Sequence, residues 1–206
     1  MKEYIRQTTE VYERLGKEYL ASVANGTPPV IKLFMSQLRP SGKVLDVGCA
    51  DGRDSRILSQ HGFQITGIDL CEMFLEEARR LVPNAIFEKK DVLELGDWPE
   101  SIFDGIWANA VLLHLEKQDT PEALRSFYRL LQQGGRLFIG VKRGFGEKSI
   151  REKLSGNQSR FFSFYTKKEI EHLARQAGFS LVYSTIGHDT IGRGEVRWVR
   201  LIAEKR

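Results

Sequence analysis

Apolar side chains recur at spacings of three and four through Ile5, Thr8, Tyr12, Leu15 and Tyr19. That period predicts an N-terminal helix with one face docked on a core. A second short helix is expected after Pro28 and Pro29, with Val30, Leu33, Phe34 and Leu38 inward, and Gly-Thr-Pro-Pro at 26–29 reads as the linker between the two. From residue 43 the pattern changes. Val44–Val47 is a continuous apolar run closed by Gly48, the mark of a buried strand. Gln64–Ile68, Ala85–Glu88, Phe103–Asn109 and Arg136–Val141 predict further strands. One intervening helix runs through Ile57 and Leu58 to Gly62, and another spans Cys71–Val82 with Phe74, Ala78 and Leu81 on one face. A third has Thr120 as N-cap, Pro121 at its first position and Leu124, Phe127 and Leu131 inward, and Gly134-Gly135 closes it. Residues 142–165 show no clean period. Thr166 with Glu169 forms a capping box for a helix ending at Gly178. Two strands, Phe179–Ile186 and Val196–Ala203, finish the chain with no helix between them, so they pair as a hairpin and one runs antiparallel. The expectation is an α/β fold, a mostly parallel sheet covered on both faces.

At 206 residues the chain reads as one domain over 1–206, with a helical cap at 1–38 and an insertion at 142–165. A hydrophobic share of 41% and a charged share of 28% exclude a disordered chain, a collagen-like chain and a disulfide scaffold. No apolar run reaches transmembrane length. The start, MKEYIRQTTE, is not a secretory signal. Cys49 and Cys71 lack metal-site spacing, so no metal is expected and a reducing cytoplasm is the natural setting. A net charge of +4 suits an anionic small molecule or RNA without selecting either.

In open parallel sheets ligands bind beyond the carboxyl ends of the strands. After the first expected strand comes Asp46-Val-Gly-Cys-Ala-Asp-Gly52, a tight turn into a helix. After the second comes Asp69, a carboxylate placed to accept from the two hydroxyls of a ribose. After the third come Asp91 and Val92, a carboxylate and a backbone N–H that suit an adenine edge. After the fourth comes Asn109, leading to His114. A nicotinamide dinucleotide needs G-x-G-x-x-G around its pyrophosphate. Here Asp46 and Asp51 bracket the turn, and two carboxylates repel a pyrophosphate but suit a cation. S-adenosylmethionine, a nucleoside with a sulfonium and an ammonium, meets that description.

The ordered set Val-Leu-Asp-Val-Gly-Cys-Ala-Asp-Gly, Ile-Thr-Gly-Ile-Asp-Leu-Cys-Glu-Met, Lys-Asp-Val, Phe-Asp-Gly-Ile-Trp-Ala-Asn-Ala and Gly-Gly-Arg-Leu-Phe-Ile resembles the class I S-adenosylmethionine-dependent methyltransferases over residues 40–206. Ala50 stands where that family usually has Gly. A narrower likeness, in the 142–165 stretch and the final strand, is to small bacterial methyltransferases of unsettled substrate. The resemblance implies a Rossmann-like, doubly wound, seven-stranded sheet with an antiparallel C-terminal hairpin and N-terminal helices. It implies that Gly48 and Gly52 line the methionine part, that Asp69 binds the ribose, that Asp91 and Val92 meet the adenine and that Met73 packs on it. Tyr19, Asp46, Cys49, Ala50, Arg53, Leu70, Asn109 and Ala110 flank these positions and complete the expected cofactor set.

Methyl transfer is an in-line displacement in which orientation does most of the work, and a base matters only if the acceptor must lose a proton. His114 is the best-placed base, though a packing role is the commoner fate of such a residue. Asn109-Ala-Val-Leu lacks the prolines and aromatic of exocyclic-base methyltransferases, and neither cysteine is placed as a nucleophile for cytosine. The 142–165 segment interleaves Lys142, Arg143, Lys148, Arg151, Lys153 and Arg160 with Phe145, Phe161, Phe162, Phe164 and Tyr165. Either this is a solvated lid or it is a pocket for an anion. The expected substrate contacts are Lys142, Arg160, Phe161, Tyr165 and Trp198. The function expected is methyl transfer to a small anionic acceptor. The alternatives are an RNA nucleoside as acceptor, or a non-catalytic S-adenosylmethionine-binding sensor.

Overall fold

The computed structural model describes residues 1–23, 28–151, 157–191 and 194–206. Of the expected linker, residues 26 and 27 lie outside them, as does Lys153. The helices are α1 (Glu3–Val23), α2 (Val30–Met35), α3 (Arg53–Gln60), α4 (Glu72–Leu81), α5 (Thr120–Leu130) and α6 (Lys167–Gln176). The strands are β1 (Lys43–Val47), β2 (Gln64–Asp69), β3 (Ile86–Lys89), β4 (Phe103–Asn109), β5 (Leu131–Lys142), β6 (Glu147–Arg151), β7 (Ser159–Ser163), β8 (Phe179–His188) and β9 (Arg197–Lys205). Seven of them form one sheet in the order β3-β2-β1-β4-β5-β9-β8. β1 to β5 run parallel, and β9 pairs antiparallel with both β5 and β8. This is the Rossmann-like sheet expected from the sequence.

The two-residue period of each strand divides the core. Leu45, Val47, Ile106, Ala108, Leu137, Ile139 and Leu201 pack against Leu124 and Phe127 of α5 and Ile170 of α6. Val44, Ile65, Trp107, Phe138 and Ile202 project to the opposite face and meet Ile31 and Phe34 of α2 and Leu58 of α3. There Trp107 and Phe138, neighbours across β4 and β5, stack with centroids 3.8 Å apart.

Several expectations need correction. Within 142–165, β6 and β7 pair antiparallel in a two-stranded sheet apart from the main one. α5 stops at Leu130, because Leu131 is extended and pairs with Phe103 across the sheet, and strand pairing wins over the helical period. The N-cap of α5 is Asp119, and the Thr120 hydroxyl is instead 2.7 Å from that of Tyr165. Leu33 and Leu81 are exposed, and Ile31 and Leu75 fill the places expected for them. α1 is kinked at Gly16 (φ +51°), where a Cβ would lie 3.0 Å from Met73 Cε.

The capping box of α6 is present, with the Glu169 amide donating to Thr166 Oγ1 at 3.1 Å. Thr166→Ala removes that acceptor, at about 0.5–2 kcal/mol. A melting temperature lower by a few degrees is expected in calorimetry; an unchanged one would show that the cap carries no weight.

Candidate functional site

The carboxyl ends of β1, β2, β4 and β5 and the amino end of β9 border a cavity of about 230 Å³, roofed by α1 through Thr8, Tyr12 and Tyr19. At its floor the chain leaves β1 in a tight turn. The Gly48 and Cys49 amides both donate to the Ile68 carbonyl, at 2.8 and 3.0 Å. Gly48 has φ +67°, and a Cβ there would meet Val111 Cγ2 at 2.3 Å, so only glycine fits. Ala50 is also left-handed, at φ +48°. Its amide donates to Asp69 Oδ2 at 3.0 Å, and the Cys71 amide donates to Asp69 Oδ1 at 2.9 Å, so Asp69 ties the two strand-end turns together. Burial raises the Asp69 pKa against the pull of those amides. Asp91 receives the Leu93 amide on Oδ1 at 3.0 Å, while its Oδ2 is buried without a hydrogen-bond partner.

Two more carboxylates stand deeper. Asp46 accepts from Ser55 Oγ at 2.6 Å. Asp54, on α3, accepts from Trp107 Nε1 at 2.9 Å, Asn109 Nδ2 at 3.2 Å and Arg53 Nε at 2.9 Å. Burial, and then the charge of Asp54, push the Asp46 carboxyl up to about 8. Asp46, Asp51, Asp54, Asp69 and Asp91 all line the cavity, with Arg53 and Lys90 among them, so carboxyl groups outnumber cations at this end.

The other end is cationic. Lys142, Arg160 and Arg200 line the same cavity, and each is 4% exposed or less. Lys142 Nζ lies 3.8 Å from the Phe162 ring centroid. The Arg160 guanidinium sits 5.0 Å from the ring centroid of Tyr12, 5.7 Å from that of Tyr19 and 5.2 Å from that of Phe162, a cation held among three aromatic faces. Between the two ends stands His114. Its Nδ1 is 2.9 Å from the Phe161 carbonyl oxygen. A carbonyl only accepts, so the proton is on Nδ1 and Nε2 is an acceptor. The Tyr12 hydroxyl donates to Nε2 at 2.8 Å and itself accepts from Arg160 Nη1 at 2.7 Å. Burial, and then the Arg160 charge, hold the His114 pKa down at about 3, so the imidazole is neutral.

Of the sequence-derived candidates, Tyr19, Asp46, Gly48, Cys49, Ala50, Arg53, Asp69, Leu70, Asp91, Val92, Asn109, Ala110, His114, Lys142, Arg160 and Trp198 line the cavity. Gly52, Met73, Phe161 and Tyr165 do not. Gly52 is the N-cap of α3, and its bare Cα lets α4 approach, with Ala78 Cβ 3.1 Å from where a Cβ would be. Met73 packs under the kink at Gly16. The Phe161 ring turns to Tyr4, 5.2 Å away, and Tyr165 is fully buried against Thr120. Tyr12, Asp54, Phe162 and Arg200 went unassigned. Tyr12 sits two helical turns before Tyr19, and Arg200 two residues after Trp198 on one strand, so periodicity carried a signal for both. Asp54, in the first turn of a helix, looks like any N-terminal acid. Among the described residues no group of three or more His, Cys, Asp or Glu is placed to hold a metal ion.

A family model for methyltransferase domains matches residues 19–184. Phosphoethanolamine N-methyltransferase 1 of Zea mays is 29% identical over 178 residues, which is 83% of this chain and 34% of the maize protein. The chain spans about a third of that relative's length. Among solved structures, 1,6-didemethyltoxoflavin-N1-methyltransferase of Burkholderia thailandensis, with 1,6-didemethyltoxoflavin and S-adenosylhomocysteine bound, superposes with a TM-score of 0.78 at 23% identity, over 98% of this chain and 89% of that one. A SAM-dependent methyltransferase of Methanosarcina mazei gives 0.77 at 19% identity, over 87% and 98%.

Two predictions follow from the acid end. The folded protein holds the Asp46 proton between pH 3.8 and about 8, where the unfolded chain has released it. The stability tied to this carboxyl therefore falls as pH rises across that window. Asp46→Asn is expected to flatten the fall of melting temperature between about pH 5 and 8; a parallel profile in the variant would place the titration elsewhere. Ala50 pays for its left-handed backbone with roughly 1 kcal/mol. Ala50→Gly is expected to raise the melting temperature by about 1–3 °C, and a lower one would mean the Cβ packs usefully.

Proposed function

Because the chain belongs to the class I S-adenosylmethionine-dependent methyltransferases, we propose that it transfers a methyl group to a small anionic acceptor bound at the cationic end of its cavity. The observation that carries this reading is the division of one cavity into an acid end and a cationic end. The acid end fits the cofactor. Asp91 Oδ2 is a buried acceptor with no donor among the described residues, as an adenine amine would need. Each Asp69 oxygen takes one amide and keeps lone-pair capacity for a ribose hydroxyl. Gly48 to Ala50 and Asp46 face the place of the cationic methionine part. When bound, the cofactor supplies an electrophilic methyl carbon on its sulfonium.

The chain's own residues orient and exclude. Lys142 and Arg160 hold the acceptor's anion, and α1 keeps water out with Tyr12 and Tyr19. His114 is a positioning residue in this reading: with Nε2 engaged by Tyr12 and a pKa near 3, it fixes that hydroxyl rather than removing a proton. The acceptor is then a group that attacks without a strong base. Phosphoethanolamine, on which the maize relative acts, joins an amine to a phosphate and illustrates the class. Two free buried cysteines suit a reducing cytoplasm. No described helix is long and apolar enough to cross a membrane.

The test is transfer of labelled methyl from S-adenosylmethionine to cell extract, separated by size and by nuclease treatment. Label is expected in small, anion-exchange-retained molecules. Label that disappears with RNase would replace this reading by an RNA acceptor, and none in any fraction would favour a sensor. With the acceptor in hand, Lys142→Ala and Arg160→Ala should each raise its KM roughly tenfold to a hundredfold. Affinity for S-adenosylhomocysteine should stay level; a joint loss would mean that these residues support the cofactor site instead.

A further inference from the structure

Arg200 is the buried charge that nothing so far employs. It lines the cavity and is 4% exposed. Its Nη2 donates to the His188 carbonyl at 3.0 Å, the only hydrogen bond it makes among the described residues. Its Nε is fully buried with no partner. Asp189, the nearby carboxylate, accepts instead from Trp198 Nε1 at 2.8 Å. Burial accordingly lowers the Arg200 pKa, against the pull of Asp189. The backbone leaves room for the head group: a Cβ on Gly187 would come 2.7 Å from Nη1. A guanidinium offers five N–H donors in a planar fork that matches a carboxylate or phosphate. It lies 6.0 Å from the Trp198 ring centroid, and its one hydrogen bond among the described residues leaves most of the fork for an oxyanion.

The register places Arg200 relative to the residues of the cofactor side. Asn109, Gly140 and Arg200 stand side by side on β4, β5 and β9, on the face that also carries Asp46. Two strand spacings separate Asn109 from Arg200, roughly 10 Å. The Arg200 head leans further, towards Gly187 on β8. Lys142 and Trp198, paired one step along the same two strands, flank the path with a cation and a flat apolar wall.

Resting on the reading of this cavity as the acceptor site, we propose that Arg200 receives a terminal oxyanion of an elongated acceptor that crosses β5 and β9. The anion then sits past β9, beyond the roughly 10 Å of backbone that separates Arg200 from Asn109. An acceptor as short as phosphoethanolamine would meet Lys142 or Arg160 and leave Arg200 unanswered. Arg200 thus selects length as well as charge.

The test uses the full chain with S-adenosylhomocysteine bound and follows the arginine Nε–H signals by NMR during titration with inorganic phosphate or with acetate. A saturable shift of the Arg200 signal is expected, and the tighter of the two anions tells phosphate from carboxylate. Arg200→Gln should weaken that anion's affinity about tenfold or more, and Arg200→Lys should recover part of it. S-adenosylhomocysteine affinity should change little in either variant. A signal that stays still at saturating phosphate and acetate overturns the proposal, as does an Arg200→Gln variant with unchanged anion affinity. If Arg200→Gln does not fold, the wild-type signal alone decides. Failure of S-adenosylhomocysteine to bind the wild type would sink the methyltransferase reading instead, a result visible before any anion is added.

Discussion

A buried charge must be answered by another charge, by hydrogen bonds or by a proton, and this requirement shapes the upper ends of five strands. The sheet register puts Asp46, Asn109, Lys142 and Arg200 on one face, because residues paired across neighbouring strands share a side. Had the acids and the cations met there, they would have neutralised one another and closed the cavity. Instead Asn109 and glycine at 140 stand between them. Asn109 spends its amide on Asp54, and a Cβ at Gly140 would lie 2.6 Å from Asn109 Oδ1. The glycine lets the asparagine lie across β5 and keep the two fields apart.

Each end then solves its charge differently. The acid end relies on hydrogen bonds from its own turns and, at Asp46, on a retained proton. The cationic end uses aromatic faces, with Phe162 serving both Lys142 and Arg160. Aromatic faces stabilise a cation through the ring quadrupole, without the full neutralisation that a carboxylate in contact would bring.

Much of this was legible in the sequence, and what was legible had a local cause. Strand ends are announced where an apolar run gives way to a polar side chain, so Asp46, Asp69, Asp91 and Asn109 could be placed at the cavity from the sequence. Lys142 followed because it ends β5. The hairpin β6–β7 was not legible: β6 exposes nearly all of its side chains, and the buried positions of β7 are an arginine, a phenylalanine and a serine, so neither strand shows an apolar period of two. Tyr165 looked like a pocket wall because its neighbours are aromatic and basic. Its hydroxyl finds Thr120 only through the fold. Gly52 looked like a ligand glycine when its role is to let α4 close on α3, a contact between segments 26 residues apart at Ala78.

The chain Arg160–Tyr12–His114–Phe161 draws these parts together. Tyr12 belongs to α1, His114 to the turn after β4, and Arg160 and Phe161 to β7. One run of hydrogen bonds therefore joins the roof, the floor and the hairpin. Its direction is fixed at one end by a carbonyl, which can only accept, and at the other by a guanidinium, which can only donate. No hydroxyl or imidazole between them can reverse without leaving a donor facing a donor. A cavity that must hold a cation and an anion in register gains from such a seam, because it fixes the spacing of the two ends through groups that carry no charge between them: a phenol, a neutral imidazole and a carbonyl.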